Sequence, residues 1–79
     1  MKLPYPRDRD IEEAIKALAG SLALIPPWEF TSTVKEELKR RGFFVGLVTE
    51  KRIWRIYELM VRRGTIYDLL DVVKESDST

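Results

Sequence analysis

The side chains of this 79-residue chain with the most chemistry to offer are its cations, and they are unevenly spread. Residues 34–63 hold Lys35, Lys39, Arg40, Arg41, Lys51, Arg52, Arg55, Arg62 and Arg63 against Glu36, Glu37, Glu50 and Glu58, a local net charge of +5. Residues 1–33 carry a net −1 and residues 64–79 a net −3, so the overall +1 conceals a basic middle between acidic ends. A concentrated basic face steers a polyanion even when the whole molecule is near neutral. Lys and Arg neutralise phosphates, and Arg pairs with guanine through two hydrogen bonds. A solvated pair of Lys- and Arg-rich helices would carry the same charges, so geometry has to decide between the two.

Little else in the chain is equipped for reaction chemistry. There is no His and no Cys. That removes the usual zinc sites, cysteine nucleophiles, disulfides and the commonest general base. Ser21, Ser32, Ser76 and Ser78 therefore lack the His partner of a standard hydrolase triad. Glu12-Glu13 and Glu36-Glu37 are adjacent carboxylates, which on a helix point about 100° apart and form no acid/base dyad. Asp68, Asp71 and Glu75 are spaced to share a helical face and read as an acidic surface or a docking patch for a basic partner. Gly20, Gly42, Gly46 and Gly64 are too scattered for a phosphate-binding loop. We expect no enzyme, no cofactor and no resident metal.

The elements that must position the cations are legible from periodicity. Two prolines in residues 1–7 mark an extended arm, and Asp8 or Asp10 is placed to cap a helix. Ile11, Ile15, Leu18, Leu22 and Ile25 form one apolar stripe, predicting a first helix that runs to Pro26-Pro27, where the amide donors are missing. Trp28 and Phe30 are expected at the bottom of the core, although Tyr5 and Trp28 are also candidates for stacking on bases. Thr31-Ser32-Thr33 offers N-caps, with capping-box spacing from Thr33 to Glu36. Val34 and Leu38 face inward on a short second helix that stops at Arg40-Arg41-Gly42. Phe43 to Val48 is a brief extended segment or a turn.

Thr49 starts a third helix. Ile53, Ile56, Tyr57, Met60 and Val61 fall on one face, with Lys51, Arg55, Glu58 and Arg62 opposite and Arg52 at the flank. Gly64 stops it. Thr65 to Glu75 has helical spacing at Ile66, Leu69, Leu70 and Val73, and a strand from Thr65 to Leu70 is the alternative.

Two helices joined by a compact connection, the second with a basic outer face, are what a helix-turn-helix reader of the major groove requires. The run Val34 to Val45, then Thr49, then Ile53, Arg55, Tyr57, Met60, Gly64 and Ile66, resembles a winged-helix DNA-binding domain over residues 11–66. The resemblance implies a mainly α fold: a three-helix, winged-helix-like core with a short fourth helix or single strand at the C-terminus. It implies that Thr49, Lys51, Arg52 and Arg55 face the groove. Lys35, Lys39, Arg40, Arg41, Arg62 and Arg63 would touch the backbone. The chain departs from the pattern in two places. Gly42 to Val48 is longer than a tight helix-turn-helix connection, and the acidic stretch after Gly64 has no hairpin turn to form a wing.

Read whole, residues 1–79 form one domain: arm 1–7, helical core 8–66, and a C-terminal helix with a frayed tail over 67–79. The expected partner is double-stranded DNA, in the role of a transcriptional regulator or a replication or chromatin accessory factor. Trp54 and Leu59 border the core face of the third helix and are expected to form a homodimer contact, since such proteins commonly pair over two half-sites. The competing reading is a helical protein-interaction module that exposes Trp54, Leu59, Phe43 or Phe44. With no run of about 18 apolar residues and no signal-peptide core, a cytoplasmic location is expected, with no membrane partner. The lack of Asn, Gln and Cys beside abundant Lys, Arg and Glu is the composition of a protein that works hot.

Overall fold

A computed structural model of the chain describes residues 3–67. The fold is mainly helical, built on three α-helices: α1 (Asp8–Leu18), α2 (Pro27–Arg40) and α3 (Glu50–Arg62), with a 3₁₀ segment at Ala19–Leu24 between the first two. There is no strand among the described residues. The fourth helix or strand expected over residues 65–75 lies almost wholly beyond Tyr67, outside the described residues, as do Asp68, Asp71 and Glu75.

The first apolar stripe forms, but not as one α-helix. Ile11, Ala14 and Ile15 are buried on α1, and Leu22 is buried on the 3₁₀ segment. The helix tightens there for two reasons. Gly20 and Ser21 are weak helix formers. Pro26 also has no N–H to give the Leu22 carbonyl, which takes the Ile25 amide instead at 3.2 Å. At the other end the cap differs from expectation. Arg7 is the N-cap, and Asp10, three residues on, accepts its backbone N–H at 2.8 Å.

α2 starts earlier than the Thr31–Thr33 caps suggest. Pro26 is the N-cap and Pro27 the first helical residue, a position where proline's fixed φ is pre-organised and its missing amide costs nothing. The Thr33 hydroxyl donates back to the Glu29 carbonyl at 2.8 Å rather than capping. The earlier start sets which side chains face inward. Phe30, Val34 and Leu38, four apart, are fully buried. Trp28 lies about 200° from Phe30 around the helix and is 79% exposed, so it does not close the core.

α2 and α3 end alike. Gly42 (φ +91°) and Gly64 (φ +77°) adopt the left-handed conformation. The Phe43 amide reaches the Leu38 carbonyl and the Thr65 amide reaches the Met60 carbonyl, each closing a Schellman turn.

α3 is placed by aromatic packing. Phe30 of α2 lies 4.9 Å from Trp54 and 5.1 Å from Tyr57, centroid to centroid, and the Trp54 and Tyr57 rings meet edge-on at 5.7 Å. Such pairs contribute about 0.5–1.5 kcal/mol each beyond their area. Ile53, Ile56, Tyr57 and Met60 are buried, as the spacing predicts. The Phe43–Val48 connection is a turn that buries Val48 and half-buries Phe43 and Val45, leaving Phe44 and Leu47 exposed.

Candidate nucleic-acid interface

The outer face of α3 begins at its cap. The Thr49 side chain accepts the Arg52 backbone N–H at 3.1 Å, which fixes the start of the helix. With that start, Lys51 and Arg55 are neighbours one turn apart. Thr49, Lys51, Arg52 and Arg55 line one shallow hollow of about 240 Å³. Lys51 and Arg55 are both exposed, and neither side chain has a hydrogen-bonding or ion-pairing partner among the described residues. Like charges at this spacing cost an isolated helix about 0.2–0.5 kcal/mol. A bound anion reverses that cost.

Arg52 behaves differently from its sequence-based assignment to the groove. Its Nε and Nη2 donate to Asp8 Oδ1 at 3.1 and 3.0 Å, and Nη2 also donates to the Pro6 carbonyl at 3.1 Å. The flank position that half-buries it also turns it toward the start of α1, where a carboxylate and a free carbonyl wait. Arg52 fastens the molecule to itself and leaves Lys51 and Arg55 as the two uncommitted cations of this hollow.

Most of the remaining basic residues are also engaged. Arg40 and Arg41 share Glu37 at 3.2 and 2.8 Å, Lys39 lies 3.8 Å from Glu36, Arg62 pairs with Glu58 at 2.6 Å, and Arg63 lies 3.8 Å from Glu12. Lys35 is half-buried and unpaired. Exposed pairs of this kind are worth about 0–1 kcal/mol, so phosphates can compete for them, but they bring no bare charge to a binding face. The basic middle of the sequence is thus largely taken up by i,i+3 and i,i+4 pairs and by the long-range partners of Arg52 and Arg63, which leaves Lys35, Lys51 and Arg55 unpaired among the described residues.

Of the two residues expected at a dimer contact, Trp54 is half-buried in the aromatic cluster with Phe30 and Tyr57, while Leu59 stands 42% exposed. Other apolar side chains are more open: Leu24 at 84%, Trp28 at 79% and Tyr5 at 60%, the last packed edge-on against Phe44.

Sequence reasoning missed Arg7 and Arg9. They sit in a segment of net negative charge, far along the chain from α3. The Asp8–Arg52 pair, spanning 44 positions, brings them to its edge. Among the described residues, no group of three or more acidic, His or Cys side chains converges as a metal site, and no helix is long and apolar enough to cross a membrane. No family model, curated protein or solved structure matches the chain.

Proposed function

We propose that the chain binds double-stranded DNA, presenting α3 to the major groove. One observation carries the reading: Lys51 and Arg55 stand unpaired, one turn apart, at the open start of an amphipathic helix whose other face is locked into the core. A helix held that way fits the roughly 12 Å major groove, and an Arg at its exposed end can reach base edges. The Thr49 hydroxyl, at the same end, can donate to a phosphate oxygen while its own oxygen accepts the Arg52 amide. The winged-helix resemblance of residues 11–66 supports the same assignment. The associated role is a DNA-bound regulator or accessory factor working in the cytoplasm, as a homodimer with Leu59 at the contact.

The test is a gel shift over a range of salt concentrations, with duplex, single-stranded DNA and RNA in parallel. The parent is expected to prefer duplex. The double variant Lys51→Ala/Arg55→Ala is expected to lose duplex binding while its circular dichroism stays that of the parent. Duplex affinity equal to the parent's would show that the wrong face has been chosen. A second reading, a module that docks on another protein, draws on exposed Leu24 and Trp28 at the corner before and at the start of α2; a parent that binds none of the three nucleic acids favours it.

A further inference from the structure

We propose that the arm at the start of the chain forms a second phosphate contact beside α3, with Arg7 and Arg9 as its ligands. The inference rests on the duplex reading above and extends it to residues that the sequence places in an acidic segment.

Terminal segments normally fray unless they are tied down. This one is tied at several points. The Phe44 amide donates to the Pro4 carbonyl at 2.8 Å, and Arg52 Nη2 donates to the Pro6 carbonyl at 3.1 Å. Pro6 is buried, and Tyr5 packs edge-on against Phe44 at 5.5 Å. Pro4 and Pro6 lower the entropy lost on ordering the segment. The arm is therefore a fixed part of the surface next to the start of α3.

What it holds out is positive. Arg7 and Arg9 are exposed and line an open hollow of about 430 Å³ with Asp10. Neither guanidinium has a partner among the described residues. Three of the four nearby carboxylates are engaged, and the fourth, Glu13, is exposed one turn on from Arg9. Asp8 is matched by Arg52, Asp10 accepts the Arg7 backbone N–H at the positive end of α1, and Glu12 faces Arg63. Here the two arginines are unpaired, whereas on α2 Arg40 and Arg41 both pair with Glu37.

The Asp8–Arg52 pair ties the segment that carries Arg7 and Arg9 to the start of α3. Asp8 lies between Arg7 and Arg9 in the chain, and Arg52 is a wall of the hollow that holds Lys51 and Arg55. A duplex carries one negative charge per 1.7 Å of its axis or so, so a helix seated in the groove has phosphates at its flanks. Lys51 and Arg55 lie with the helix, while Arg7 and Arg9 lie beside it. That placement suits contacts that set register and orientation without reading sequence.

The experiment measures the salt dependence of binding to a mixed-sequence DNA duplex, using the full chain. The parent is compared with Arg7→Ala/Arg9→Ala and with the charge-reversed Arg7→Glu/Arg9→Glu, each checked for parental circular dichroism. Removal of two phosphate contacts lowers the slope of log affinity against log salt by about 1.8. The Ala pair is expected to show that drop with weaker binding at low salt, and the Glu pair a larger loss. If the parent binds duplex and both variants keep its slope and affinity, this inference fails and the α3 assignment stands. If the parent does not bind duplex at all, both fall together.

Discussion

The clearest separation of roles is between Arg52 and Arg55, two arginines three residues apart that the sequence treats alike. Arg52→Ala removes an ion pair to a mostly exposed Asp8 and a charged hydrogen bond to the Pro6 carbonyl in a half-buried place. The pair is worth about 0.2–1 kcal/mol, and the guanidinium–carbonyl hydrogen bond, charged but partly solvated, is worth about 0.5–1.5 kcal/mol net, below the range for a fully buried charged bond. Together the loss is about 1–2 kcal/mol, or roughly 4–16 °C in Tm for a domain of this size. Arg55→Ala removes no intramolecular partner, and its stability is expected within about 0.5 kcal/mol of the parent's. Urea unfolding read by tryptophan fluorescence suits the comparison, because Trp54 reports on the aromatic cluster between α2 and α3. The midpoint is expected to fall for Arg52→Ala with an unchanged m-value. Hydrogen exchange at the Phe44 amide adds an independent reading, since its acceptor is Pro4 in the arm that Arg52 holds. Release of the arm speeds that exchange by more than the global loss of stability speeds exchange at the α3 amides. Equal stability of the two variants, or unchanged Phe44 protection in Arg52→Ala, would refute the assignment of Arg52 as a clasp.

Two further predictions test the fold. Gly42→Ala and Gly64→Ala place a Cβ at φ +91° and +77°, and each is expected to cost about 1–2 kcal/mol in urea unfolding although open space surrounds both positions. Phe30→Ala is expected to cost about 3–5 kcal/mol, enough to abolish cooperative melting in so small a domain, whereas Trp28→Ala, two residues away, is expected to shift stability by no more than about 0.5 kcal/mol.

Residues with a local physical cause were legible before any coordinates. Thr49 caps α3 and Gly64 ends it because a side-chain acceptor and a residue tolerant of positive φ act within one turn. The buried set Ile53, Ile56, Tyr57 and Met60 follows from the helical period alone. The errors arose where a second effect competed. Thr31–Thr33 had the composition of a cap, but Pro27 began the helix earlier, and Trp28 turned outward while Phe30 faces the core as expected. The apolar stripe of residues 11–25 was real, but the missing Pro26 amide and Gly20 converted its second half to 3₁₀.

Chain-local chemistry thus determined that three amphipathic helices form, which faces they bury, and that the positive charge gathers between residues 34 and 63. Tertiary structure decided which of those charges remain available. Glu37 takes up Arg40 and Arg41 through helical spacing alone, but Coulomb attraction depends on separation in space, so Asp8, 44 positions away, claims Arg52 once α1 packs against α3. The same fold ties Pro6 and Asp8, which flank Arg7, to Arg52, because packing α1 against α3 brings this segment to the start of the third helix.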